Sequence, residues 1–403
     1  MVGGSCPTCK KKARHQIDRF SELPEHILRR VLSLVDSKTA VQTSLLSRRW
    51  RSVWKGVPTL NLYSKSFKTH FRFHQFISET LSRRYATAIE QISLEIGYPN
   101  GDEDEIDDSD DDIDLPVGAT RYRRLFSYAA SRGGIQRLRL VHCGYRGEIW
   151  NHFVRSRSPA AFGVLATLHL EGCKAYCFPS LKWSPIAVRV DPFADFPNLR
   201  DLTLKNCSWA IDGGDGEEDD GYYSICLRVS GIQLRNLRME SLYSVSKFEI
   251  FAPNLESFYF TGQLRGPEFV ELQHMLCLDL ACIRISGYRD LDIPENRDDS
   301  DSDSDVNAEL VPVDLAARRF KNLFQGLHSA RTLELHLNTF KILERIQESN
   351  AFQTSPFTRL KTLIINVEYK LQSFDMPYLI SQYFLGNSTN KEVKSTKFKV
   401  TSS

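Results

Sequence analysis

A chain of 403 residues exceeds the ~100–200 expected of one domain, so it holds two or more units or a repeat array. Its 41% hydrophobic content is ordinary globular composition and excludes wholesale disorder. No apolar run approaches the ~18 residues that span a bilayer, and the polar N-terminus leading into Lys10, Lys11 and Lys12 lacks the form of a signal peptide, so the chain is expected inside the cell with its nine cysteines reduced.

The net charge of +2 hides segregation. Residues 102–114, 212–220 and 298–305 carry 10, 6 and 5 acidic residues and no Lys or Arg. Without those 21 carboxylates the remaining chain stands at +23. Such runs repel themselves and bury no apolar area, so they read as disordered loops inserted in a basic body. The Lys and Arg of that body are spread along the chain rather than clustered, which does not point to nucleic acid. Residues 1–17 read as a disordered basic tail. Its Lys10-Lys-Lys-Ala-Arg14 run fits either a nuclear signal or a solvated tail, and a mixed nuclear and cytoplasmic distribution is expected.

Residues 18–58 form the first unit. Pro24 suits the start of a helix, where its missing N–H costs nothing. Ile27, Leu28, Val31, Leu32 and Val35 follow at helical spacing. Asp36-Ser37 breaks that helix and can cap the next. A second apolar set comprises Val41, Leu45, Leu46, Trp50, Val53 and Trp54, and Gly56 and Pro58 end it. Two or three short helices are expected in a unit too small to be stable alone. Trp50 and Trp54 read as core residues, whereas the Leu23-Pro24 edge reads as an exposed apolar contact for a partner helix.

The run from Phe20-Ser-Glu-Leu-Pro24 through Thr43-Ser-Leu-Leu-Ser-Arg-Arg-Trp50-Arg-Ser-Val-Trp54 resembles an F-box of the plant type. That resemblance implies docking on a Skp-type adaptor, which itself binds a cullin scaffold. It places the adaptor contacts at Leu23, Pro24, Ile27, Leu28, Val31 and Leu32, with Leu46 and Trp50 beside them.

From residue 59 to 368 a phrase recurs: apolar-x-x-apolar-x-apolar. It begins at Ile89, Ile135, Leu165, Leu199, Leu234, Leu255, Leu280, Ala330 and Leu360. This is the leucine-rich-repeat phrase, one short strand per unit. Alternate residues turn inward, and the intervening ones line a concave face. Arg139, His169, Thr203, Arg238, Tyr259, Arg284, Glu334 and Ile364 hold the intervening position, and all but Ile364 are the candidate target contacts. Cys143, Cys173 and Cys207 follow three phrases at one offset and fit a buried structural slot. The spacing between phrases runs from 21 to 50 residues, and its longest intervals coincide with acidic runs, so those runs enlarge loops within repeats.

The order of F-box and irregular repeats resembles the plant F-box/leucine-rich-repeat family. The expected fold is α/β: a short helical F-box, then a leucine-rich-repeat solenoid with parallel strands on the concave face and helices or loops on the convex face. That family often ends in a further C-terminal module, for which this chain is expected to end too soon. Residues 369–403 are expected to provide a cap and tail, with an amphipathic helix over Tyr378-Leu-Ile-Ser-Gln-Tyr-Phe-Leu385.

No catalytic constellation is legible. Cys6-x-x-Cys9 is half a zinc pattern, but His70 and His74 lie far beyond finger spacing. Asp299-Ser-Asp-Ser-Asp303 opens like a calcium loop, yet Ser304 and Leu310 stand where Gly and the bidentate Glu belong. No cofactor, metal or membrane partner is therefore expected. The resemblance implies the target-recognition subunit of an SCF-type ubiquitin ligase, acting by proximity and not as an enzyme. The alternative is a scaffold or small-ligand sensor with a vestigial F-box.

Overall fold

The computed structural model describes residues 23–97, 115–142, 150, 163–177, 188–211, 225–263, 268–273, 275–286, 311–347, 352, 354–366 and 378–385. The basic tail with Cys6 and Cys9, all three acidic runs, Cys143 and residues 386–403 lie outside the described residues.

Short helices come first among the described residues. The helix Glu25–Leu32 starts directly after Pro24, whose carbonyl accepts the N–H groups of Ile27 and Leu28. The helix Ser37–Gln42 is capped by Asp36, whose carboxylate accepts the Thr39 N–H at 2.9 Å. Single turns follow at Thr43–Leu45, Trp50–Val53 and Trp54–Gly56. Leu28, Leu32, Ala40, Trp50, Val53, Trp54 and Val57 form a core of their own, with Leu23, Val35 and Val41 packed at its edge. Of the second apolar set, Trp50, Val53 and Trp54 are buried, whereas Leu45 and Leu46 face solvent.

The rest of the chain is built on a sheet of ten parallel strands in which each strand pairs with the next of its kind along the chain. The strands are Thr59–Tyr63, Gln91–Ile96, Arg137–His142, Thr167–Glu171, Asp201–Lys205, Asn236–Glu240, Ser257–Gln263, Leu280–Ser286, Thr332–His336 and Thr362–Asn366. One backbone device joins successive units. The carbonyl just before each strand accepts two N–H groups from the next unit, as Glu90 accepts from Gln136 and Arg137, and Ala166 from Arg200 and Asp201. Leu138, Leu168, Leu202 and Leu237 stand in register and buried, as do Leu140, Leu170, Leu204 and Met239.

Three sequence expectations change. First, the ladder has a unit ahead of the nine phrases, Val57-Pro-Thr-Leu60-Asn-Leu62, continuous with the last helical turn. Second, the phrase assigned to Leu280 begins at Leu278. The pairing sets Ala281 beside Phe258 and Leu333, and Cys282 beside Tyr259 and Glu334. Leu278 is buried and Leu280 exposed, so Arg284 lies one step along from the row it was assigned to.

Third, the far side of the ladder is not helices and loops throughout. Helices His70–Arg83 and Leu115–Ala130 lie toward one end, and Val313–Gly326 and Leu337–Ile346 toward the other. Between them stands a second parallel sheet ordered Glu268–Gln273, Lys247–Phe251, Ile225–Ser230, Val188–Val190. The two shortest units, from Leu234 to Leu255 and from Leu255 to Leu278, recross as strands, which advance ~3.3 Å per residue against 1.5 Å for a helix. Phe248 of this sheet meets Phe260 of the ladder edge to face, ring centres 6.1 Å apart.

The helix Tyr378–Leu385 buries Ile380, Tyr383 and Phe384, and the Phe384 ring lies 5.3 Å from Phe324. No helix of the described residues is long and apolar enough to cross a membrane.

Candidate functional site

Two surfaces carry the candidate residues. On the first helix, alternating demands split the set that the F-box resemblance supplied. Leu28 and Leu32 point into the small core, and Trp50 joins them from its own turn. Leu23 and Ile27 are half-buried, while Pro24 and Val31 are exposed. Leu46 is exposed as well. Leu34 and Leu45, absent from the candidate set, are 82% and 87% exposed, more than Leu46 at 70% or Val31 at 38%. The available apolar surface thus runs over Pro24, Val31, Leu34, Leu45 and Leu46.

This unit is fixed to the ladder by polar contacts. The buried Asn61 side chain donates to the carbonyls of Ser33 at 3.1 Å and Val35 at 2.9 Å. The Tyr85 N–H donates to the Lys55 carbonyl at 3.0 Å, and the Arg84 guanidinium donates to the Val57 carbonyl. Burial pulls Arg84 down to about 10.

The second surface is the outward row of the ladder. Arg139, His169, Thr203, Arg238 and Tyr259 stand on five adjacent strands in register. Cys282, Glu334 and Ile364 continue the row. The next outward row, missed from the sequence, holds the counter-charges: Glu95, Glu171, Lys205 and Glu240. Strand alternation alone would have located them, two residues beyond the first row.

Glu171 is the hub. It pairs with Lys205 at 2.8 Å, His169 at 3.2 Å and Arg139 at 3.5 Å, and Arg139 also reaches Glu95 at 3.5 Å. The hydrogen bond from Lys205 holds the Glu171 carboxyl below its ordinary range. Burial holds His169 below its ordinary value, against the pull of Glu171. Arg238 pairs with Glu240 and lies over the Tyr259 ring at 4.0 Å. Glu334 accepts from the Asn366 amide at 2.9 Å.

The cysteine slot is a turn device. Cys173 and Cys207 are buried, with thiols donating to the carbonyls of Glu171 at 3.5 Å and Lys205 at 3.3 Å. Each follows a residue of positive φ, Gly172 at 62° and Asn206 at 50°. The Cys207 thiol beside it, together with burial, pushes Cys173 well above the usual thiol range. Among the described residues, no cluster of three or more His, Cys, Asp or Glu is placed to hold a metal.

Comparison with known proteins agrees with this arrangement. The F-box domain family matches residues 20–61, which end on the seam residue Asn61. A putative F-box/FBD/LRR-repeat protein of Arabidopsis thaliana is 38% identical over 333 residues, 79% of this chain and 62% of its own length. An F-box/FBD/LRR-repeat protein of the same plant is 31% identical over 167 residues, 41% of this chain and 36% of its own. An F-box protein from it is 48% identical over 82 residues, 20% of each chain. The chain thus spans less than two thirds of the length of each of these relatives. With its helical F-box followed by a parallel ladder of leucine-rich units, the chain carries an F-box domain and is similar along most of its length to a plant F-box/FBD/LRR-repeat protein.

Proposed function

We propose that this protein is the target-recognition subunit of an SCF-type ubiquitin ligase. Its F-box docks on a Skp-type adaptor, the adaptor joins a cullin scaffold, and the ladder holds the protein to be modified. The observation that carries this reading is the matched F-box folded around its own core with Leu34, Leu45 and Leu46 left open. An apolar surface of that kind gains its free energy only when a partner covers it. The ladder's outward rows then supply a second, polar surface on the same chain. The contribution to the reaction is proximity, raising the target's effective concentration near the charged conjugating enzyme. The Lys10–Arg14 run agrees with action in nucleus and cytoplasm.

Co-purification tests it. The full chain should capture a Skp-type adaptor, and Leu45→Glu with Leu46→Glu should abolish capture while the ladder stays folded. Failure of the unaltered chain to capture the adaptor would overturn the reading.

A further inference from the structure

We propose that the outward face of the ladder, on the strands carrying Arg139 through Tyr259, docks an acidic peptide segment of a partner protein. This rests on the ladder being the target-holding half of the receptor.

The charge on that face is local. At its first two strands the central row holds Asn61 and Ser93, both buried, and at its last strand Ile364. Arg139, Lys205 and Arg238 lie between them. The charge is also layered. Arg238 is 50% exposed against 15% for its partner Glu240. Arg139 and Lys205 are 40% and 41% exposed against 23% for Glu171. The carboxylates form a floor, and the cations lie above it. Each floor contact uses part of a cation's donor set, since a guanidinium carries five N–H groups and an ammonium three. With these side chains 40–50% exposed, the remaining donors are accessible to a further carboxylate. Arg238 is steadied by the Tyr259 ring, so less entropy is lost on binding.

Spacing and background charge narrow the occupant. Arg139 and Arg238 stand three strand steps apart, roughly 14 Å at ~4.8 Å per step. An extended peptide advances ~3.3 Å per residue, so carboxylates four residues apart meet both cations, and those between meet Lys205. The chain as a whole carries only +2, so the attraction for an acidic segment is confined to this face. Glu95, Glu171 and Glu240 favour separate carboxylates over a continuous phosphate backbone, whose every unit carries charge.

The test uses the full chain and a fluorescent peptide of alternating Asp and Glu, read by anisotropy at low salt. The unaltered chain should bind it, and Arg139→Gln with Arg238→Gln should weaken binding tenfold or more. Arg238→Lys alone, which keeps the charge, should lose less than Arg238→Gln. Arg72→Gln with Arg83→Gln, on the exposed side of the helix His70–Arg83, should change nothing. No binding by the unaltered chain overturns the proposal. So does equal loss in the helix variant, or duplex DNA held more tightly and lost through the same Arg139 and Arg238 changes. Adaptor capture is measured on the same samples: it depends on the F-box alone, so the receptor reading and this one fail separately.

Discussion

Ser37 and Asn61 join the two parts of the chain. The Asn61 N–H donates to Ser37 Oγ at 3.0 Å inside the protein, while its side chain satisfies the Ser33 and Val35 carbonyls in the turn between the first two helices. A residue in register with the ladder's outward row is here turned against the F-box.

Asn61→Ala removes two buried side-chain hydrogen bonds and leaves two carbonyls without those donors. At roughly 1 kcal/mol each, the cost is about 2 kcal/mol. Chemical denaturation should show it in the first transition, with weaker adaptor capture at elevated temperature. A loss below about 0.5 kcal/mol would mean the seam is solvated in solution.

Exposed and buried F-box residues separate binding from stability. Leu45→Glu and Leu46→Glu lie on the surface and should change stability by no more than about 0.5 kcal/mol. Trp50→Ala empties the small core and should cost 3–5 kcal/mol, to within about a factor of two. Both should lose the adaptor, but only Trp50→Ala should change the melt. Equal effects on melting would place Leu45 and Leu46 in packed contact.

Thiol labelling reports the ladder's register. Cys277 is exposed and should react early under native conditions at pH 7.5. Cys282 is half-buried, and burial pushes it up to about 12, so its thiolate is scarce and it should react slowly. Cys173 and Cys207 should react only on unfolding. Mass mapping of the modified peptides checks the order, and fast labelling of Cys207 would contradict the turn geometry.

Acid should weaken the fold in two stages. Burial holds folded His169 below 6.5, so its neutral form is favoured and its share of stability is present above 6.5 and lost as pH falls. The hydrogen bonds from Lys205 to Glu171 and from Lys247 to Glu271 hold those carboxyls below 4.5. Burial would raise Glu249, but hydrogen bonds from Arg189 and Lys247 outweigh it. These three therefore contribute above 4.5 and lose their share below it. Asp191, raised by burial, acts in the opposite direction as a single group. Melting temperature should decline below pH 6.5 and more steeply below 4.5. Burial lowers His70 in the same way, so His169→Gln should lessen the first decline rather than remove it, and Glu171→Gln should lessen the second. A melting temperature that rises between pH 7 and 5.5 would refute this assignment.

The sequence by itself determined the ladder's inward rows and the F-box. Leu165-Ala-Thr-Leu-His-Leu170 and Leu199-Arg-Asp-Leu-Thr-Leu204 admit one register, because only one face of a short strand is apolar. Leu278-Asp-Leu-Ala-Cys-Ile-Arg-Ile285 admits two, since apolar residues stand at both frames. Pairing with Phe258 and Leu333 decides, by placing the small Ala281 between them. The first unit escaped notice because Pro58 reads as a stop. Yet a first unit needs no N–H there, having no earlier carbonyl to reach, and the Pro58 carbonyl still accepts from Glu90 and Gln91. The exposure of Leu45 and the strands opposite the ladder were settled by tertiary structure alone. Local periodicity states which residues are apolar, but which of them find cover depends on surfaces brought together from distant parts of the chain.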